Sequence, residues 1–177
     1  AEICLRYGVY LLSDEAHAEF AMFGHKYTSL AAFPSIARQS VVCLSVNKSF
    51  NIAGEGSAYL VIPDPALKAQ VESLLKQVWI LSPTVLGRAA AQAGFDGADQ
   101  WMDELLAYLE GNVRFLRNFL AVHMPKIRMA DHEGTYLVWL DCSCFGISSE
   151  KLAPLLVDQC GVALQDGSVY RGDGDHY

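Results

Sequence analysis

The chain has 177 residues, 52% of them apolar and 19% charged, a balance that can bury a core and excludes a disordered segment. Thirteen Lys and Arg against twenty Asp and Glu give a formal net charge of −7, so the basic surface expected of a nucleic-acid binder is missing. No apolar run reaches the roughly 18–20 residues of a membrane span. Five cysteines, an odd number, are too dilute for a disulfide scaffold and predict a reduced, cytoplasmic protein.

Residues 1–8 read as the last turns of an amphipathic helix, with Ile3, Cys4 and Tyr7 at helical spacing and Gly8 at the left-handed cap position. The apolar run 9–12 predicts a buried parallel strand, followed by Ser13-Asp14-Glu15-Ala16-His17 at its C-terminal end. A mixed stretch with Gly24 and Pro34 leads to a second buried strand, 40–45, whose end carries Val46-Asn47-Lys48-Ser49-Phe50-Asn51-Ile52-Ala53-Gly54. Residues 57–62 predict a third strand, closed by Pro63 and Pro65. Helical patterns follow over 65–79, over 83–93 with Gly94 as its stop, and over 99–123 with a long aromatic face suited to a core or a subunit contact. The remainder alternates strand, helix and strand over 135–141, 148–160 and 162–164, and suggests a second subdomain beginning near Lys126. The class is α/β.

Two polar clusters therefore follow buried strands, and in open α/β sheets ligands bind at the carboxyl ends of strands. Asp14 and His17 from one end and Ser45 and Lys48 from the other can converge on one site. Lys48 suits an amine nucleophile, activated by apolar surroundings that favour its neutral form. Taken singly, each residue also has a plain role: Asp14 as a cap, His17 as a hydrogen-bonded histidine, Lys48 as a solvated loop lysine. Cys142-x-Cys144 lacks a second ligand pair at zinc spacing, so no metal site is predicted. The tripeptide Arg171-Gly-Asp173 is read as coincidence.

Order and spacing of the two clusters carry a resemblance. Ser13-Asp14-Glu15-Ala16-His17 and Asn47-Lys48-Ser49-Phe50-Asn51-Ile52-Ala53-Gly54 resemble motifs of pyridoxal-phosphate enzymes of the aspartate-aminotransferase fold, and most closely the cystathionine β-lyase (C–S lyase) branch. Glu133–Asp141 and Val162–Ser168 resemble that branch's C-terminal domain. The resemblance implies a fold type I enzyme of which residues 1–95 are the C-terminal half of the large cofactor-binding domain, 96–125 a long interdomain helix and 126–177 most of the small C-terminal domain. It implies pyridoxal phosphate held covalently by Lys48, a buried Asp14 carboxylate keeping the pyridine nitrogen protonated, His17 near the phenolic oxygen, and Ser45 donating to the phosphate. It further implies a small amino-acid substrate and a homodimer. The activity implied is C–S β-lysis, with transamination the alternative because both use Lys48 and Asp14. The sequence departs from the branch at Asn47, Ala16 and Glu55-Gly56, and Gly56 stands where aminotransferases often carry a basic residue. The family's N-terminal cofactor contacts and its C-terminal carboxylate-binding Arg are not found here, which predicts a fragment of a longer enzyme; a non-catalytic truncated product is the further alternative.

Overall fold

A computed structural model describes residues 1–80 and 82–170, so Arg171-Gly-Asp173 lies outside the described residues. The chain divides into two compact units, Ala1–Ala107 and Tyr108–Tyr177.

The first unit opens with helix α1, Glu2–Tyr7, closed by Gly8 at φ 62° as its spacing predicts. Val9 N–H reaches back to Cys4 C=O at 2.9 Å, and a left-handed residue at that corner is what glycine permits. Strand β1 covers Leu11–Asp14 and β2 covers Ser40–Leu44; they pair in parallel, with Asp14 opposite Cys43. Strand β3, Tyr59–Val61, runs antiparallel on the other side of β2. The first strand thus starts two residues later than its apolar run, and Asp14 is its last residue rather than the first of a loop. Nor is the 9–12 segment buried: Tyr10 and Leu12 are 62% and 66% exposed. The crossover from β1 to β2 holds three short 3-10 helices, Ala18–Phe20, Leu30–Ala32 and Pro34–Gln39, where the sequence had shown only a mixed stretch.

The core of this unit is Phe20, Met22, Ile36, Val42 and Val46, all fully buried. Each such side chain contributes roughly 1.5–3 kcal/mol relative to exposure. Val46 therefore ties the loop after β2 to the same core as the strand itself.

Helix α2, Pro65–Gln77, is capped by Asp64, whose Oδ1 accepts Leu67 N–H at 2.8 Å. Helix α3, Val85–Gly97, is capped by Thr84, whose Oγ1 accepts Gly87 N–H at 2.9 Å. Gly94 does not stop this helix; it lies inside it, and the reason is packing. A Cβ on Gly94 would collide with the ring of Phe50, and one on Gly87 would stand 2.6 Å from Glu55 C=O. The two glycines, two turns apart on one face, let α3 press directly against the segment that follows β2. Tyr59 of β3 and Phe95 of α3 add an edge-on ring pair at 6.2 Å.

Helix α4, Asp99–His123, runs from the first unit into the second and buries Val113 and Leu120, while Tyr108 and Phe115 remain 68% and 69% exposed. In the second unit β4, Arg128–Met129, pairs antiparallel with β5, Leu140–Asp141. The predicted strand over 135–141 shortens to its last two residues, and Thr135 at its expected start sits at φ 64°, outside extended backbone. Helix α5, Ser149–Leu155, passes Pro154 and continues as a π-helical turn, Leu156–Cys160. Residues 162–164, predicted as a strand, pair with no strand among the described residues. No helix among the described residues is long and apolar enough to cross a membrane.

The glycine face of α3 sets a direct expectation for denaturant unfolding. Gly87→Ala and Gly94→Ala each cost about 1–3 kcal/mol through overpacking, whereas Gly111→Ala, on an open face of α4, stabilises by up to about 1 kcal/mol. Urea midpoints of the three variants check both signs.

Candidate active site

Parallel pairing brings the C-terminal ends of β1 and β2 side by side, and the predicted site residues hang from these two ends. Beyond Asp14, Glu15 N–H donates to Cys43 C=O at 2.8 Å, extending the ladder by one bond. Asp14 then closes an Asx turn, its Oδ1 accepting Ala16 N–H at 3.1 Å. His17 enters the first 3-10 helix as its cap residue, with its ring 5.8 Å from that of Phe20. Asp14 and His17 thus share one turn.

After β2 the chain makes a single helical turn, with Phe50 N–H bonded to Val46 C=O at 3.1 Å and Ile52 N–H to Asn47 C=O at 2.9 Å. Val46 and Ser49 face inward, each 1% exposed, as the spacing i, i+3 demands on one face of a helix. Lys48, between them in sequence, falls on the opposite face and is exposed. The amine is therefore presented outward at the end of β2, beside the end of β1 that bears Asp14.

Side-chain hydrogen bonds and ring packing hold that turn. Ser45 Oγ donates to Ser57 C=O at 2.8 Å and accepts Asn47 N–H at 3.1 Å. Asn47 Oδ1 accepts Ser57 N–H at 3.2 Å, so Ser45, Asn47 and Ser57 close a knot between the turn and the approach to β3. Phe50 lies on Gly94 and 5.7 Å from the ring of Trp101. Ser49 Oγ donates to Glu19 Oε2 at 2.8 Å, linking the turn after β2 to the helix after β1.

The expected burial of Asp14 is corrected by the structure: Asp14 is exposed, and the buried carboxylate is its neighbour Glu15, 8% exposed. The period-2 alternation of the strand sends consecutive residues to opposite sides, so one of the pair faces solvent and the other the interior. Glu15 Oε1 accepts Ser13 Oγ–H at 2.8 Å and Leu30 N–H at 2.8 Å; Oε2 accepts Ser29 Oγ–H at 2.7 Å and the Tyr27 hydroxyl. Burial pushes this carboxyl up, but the bonds from Tyr27, Leu30, Ser29 and Ser13 outweigh it and hold its pKa below the usual glutamate value. The Tyr27 hydroxyl is raised in turn, first by burial and then by its bond to Glu15. Opposite Asp14, the Cys43 thiol is pushed up by burial and by the charges of Asp14 and Glu15, which favours its protonated form.

Sequence reasoning singled out Asp14, His17, Ser45 and Lys48. It missed Glu15, Glu19, Asn47 and Ser49 as the residues that fix those four. A charged residue directly after a buried strand was the one available signal for Glu15; the Glu19–Ser49 bond spans thirty positions and leaves no local trace. Among the described residues no group of three or more His, Cys, Asp or Glu gathers as metal ligands.

The sequence model of the family aminotransferase class I and II matches residues 1–175. The chain is 32% identical to cystathionine β-lyase PatB of Bacillus subtilis strain 168, over 99% of this chain and 46% of the relative. It is 30% identical to the protein MalY of Escherichia coli K12, over 98% of this chain and 44% of the relative. In three dimensions it matches a PLP-bound protein of Clostridium difficile 630, provisionally called an aminotransferase, with TM-score 0.96, 32% identity, and 99% and 46% of the two chains covered. Cystalysin of Treponema denticola, which contains a pyridoxal 5′-phosphate cofactor, shares the fold at TM-score 0.90 and 24% identity, covering 98% of this chain and 44% of its own. The chain spans about half the length of the curated relatives it matches.

The Glu15 network has a pH signature. Because its folded pKa is lowered, Glu15 contributes stability that is complete above its unfolded value near 4.5 and is lost as pH falls through the folded value. Glu15→Gln lowers stability at neutral pH and flattens the acid limb of the stability profile below about pH 4.5; urea midpoints between about pH 3 and pH 7 read both effects.

Proposed function

The chain belongs to the class I and II aminotransferase family with the fold type I architecture, and from that premise we propose that it is the lysine-bearing part of a pyridoxal-phosphate-dependent C–S β-lyase. The observation that carries this reading is the parallel pairing that sets the Asp14–His17 turn beside the Lys48 turn, in a chain 32% identical to a cystathionine β-lyase.

The donor set suits pyridoxal phosphate at its aldehyde and its ring. Lys48 offers an exposed primary amine to hold the aldehyde covalently. The exposed Asp14 carboxylate keeps one oxygen, Oδ2, outside its Asx turn to hold a proton on the pyridine nitrogen. His17, on the same turn, serves the phenolic oxygen. Ser45 is different: its hydroxyl proton is bonded to Ser57 C=O, so a contact with the phosphate requires that bond to open, and as folded Ser45 shapes the Lys48 turn. Bound here, the cofactor supplies an electron sink for the charge left on the substrate α-carbon.

In the proposed reaction the substrate is an amino acid with a sulfur substituent on Cβ, such as cystathionine. The Lys48 amine, released when substrate binds, takes the proton from Cα. The Cβ–S bond would then break with its electron pair on sulfur, which takes up a proton as the thiol leaves, and water would hydrolyse the remaining aminoacrylate to a keto acid and ammonia. The Asp14 carboxylate would keep the proton on the pyridine nitrogen throughout. Transamination, the second reading, is supported by the aminotransferase-like C. difficile neighbour and uses the same Lys48 and Asp14. We place the protein in the cytoplasm and expect a homodimer.

Purified protein with added pyridoxal phosphate gains an absorption band in the violet that borohydride abolishes; Lys48→Ala never acquires it, and turnover falls by about 10²–10⁴-fold, as for loss of a general base. No band in the unmodified protein overturns the Lys48 assignment and favours the non-catalytic alternative. Thiol and keto-acid release from cystathionine supports lysis, while keto-acid-dependent amino transfer without thiol supports the second reading.

A further inference from the structure

We propose that Glu19 and Ser49 form a positioning pair that couples the Asp14–His17 turn to the Lys48 turn and sets how the Lys48 amine is presented, an inference that rests on the assignment of Lys48 above. Ser49 is the residue next to Lys48, is 1% exposed, and donates to Glu19 Oε2 at 2.8 Å. Glu19 lies two residues beyond His17 within the 3-10 helix Ala18–Phe20. The Ser45, Asn47 and Ser57 knot ties the Lys48 turn toward β3, and Glu15 ties the Asp14 turn to residues 27–30, so neither of these spans the two turns.

The chemistry favours a stiff link. Ser49 is buried, where a hydroxyl left without a partner is strongly disfavoured, so the bond persists. Its acceptor is a carboxylate, which makes the bond charge-assisted and roughly twice as strong as a neutral one. The Glu19 charge is also felt by the Tyr27 and Tyr59 hydroxyls, whose pKa values are raised first by burial and then, among other contributions, by Glu19. Half-buried Glu19 is therefore within electrostatic reach of the crossover that carries Tyr27 and of β3. With Phe50 wedged on Gly94 on one side of Lys48 and Asn47 knotted to Ser57 on the other, Ser49–Glu19 is a contact that reaches from the Lys48 turn across to the Asp14–His17 segment.

The test uses protein reconstituted with pyridoxal phosphate and follows the pH midpoint of the violet band, kcat and KM. Ser49→Ala and Glu19→Leu shift the midpoint by about one unit and lower kcat about tenfold with KM within about twofold, the scale of one lost charge-assisted hydrogen bond. Ser49→Thr, which keeps the hydroxyl, restores the unmodified values, and Glu19→Gln, which keeps an acceptor without the charge, gives a smaller shift in the same direction. These two mild variants carry the test if the harsher ones fail to fold. A lower melting midpoint with an unmoved pH midpoint and kcat marks a purely structural bond and overturns the pair's positioning role alone. Absence of the band in unmodified protein overturns the pair together with the Lys48 assignment.

Discussion

The parallel pairing of β1 with β2 is the constraint on which the site depends. Parallel strands end at the same edge of a sheet, so the residues just past each end become neighbours however far apart they lie in sequence. With Asp14 opposite Cys43, the turn bearing His17 and the turn bearing Lys48 start from the same level. A slip of one residue would exchange the inward and outward faces of β1, burying Asp14 and expelling Glu15. The four bonds received by Glu15 resist that slip, because an expelled Glu15 would leave Ser13, Tyr27, Ser29 and the Leu30 N–H without their acceptor.

A second constraint acts from behind. The Lys48 turn is short and buries Val46 and Ser49 on one face, so it needs a backing surface that admits Phe50 and the Glu55 carbonyl. Helix α3 provides it by omitting side chains at Gly87 and Gly94. The glycines weaken the helix locally, at about 1 kcal/mol each relative to alanine, and the close contact with Phe50 and the 55–57 segment offsets that loss. Reading Gly94 as a helix stop was a propensity argument; tertiary packing reversed it.

Electrostatics divides the acidic residues of the site by depth. Glu15 and Glu19 turn inward and spend their oxygens on hydroxyls and an amide, whereas Asp14 keeps an outward oxygen. The inward pair holds shape; the outward one is available to a ligand. This division follows from strand alternation for Asp14 and Glu15, and from the 3-10 turn for Glu19.

The sequence by itself determined the α/β class, the Gly8 cap, the 99–123 helix, and the two clusters that carry Asp14, His17, Ser45 and Lys48, because these depend on local periodicity, on backbone freedom at glycine and on residue types standing close together in the chain. It also carried the family resemblance, through the residues of the motifs and their order and spacing. Tertiary structure decided which carboxylate is buried, where Ser45 sends its proton, why Gly94 sits within a helix, and which side chains fix the Lys48 turn. Each of these rests on a contact between segments far apart in sequence: Glu15 with residues 27–30, Ser45 with Ser57, Phe50 with Gly94, Ser49 with Glu19. Such contacts have no period and no fixed spacing, so only the folded chain, by bringing the strand ends to one edge, selects them.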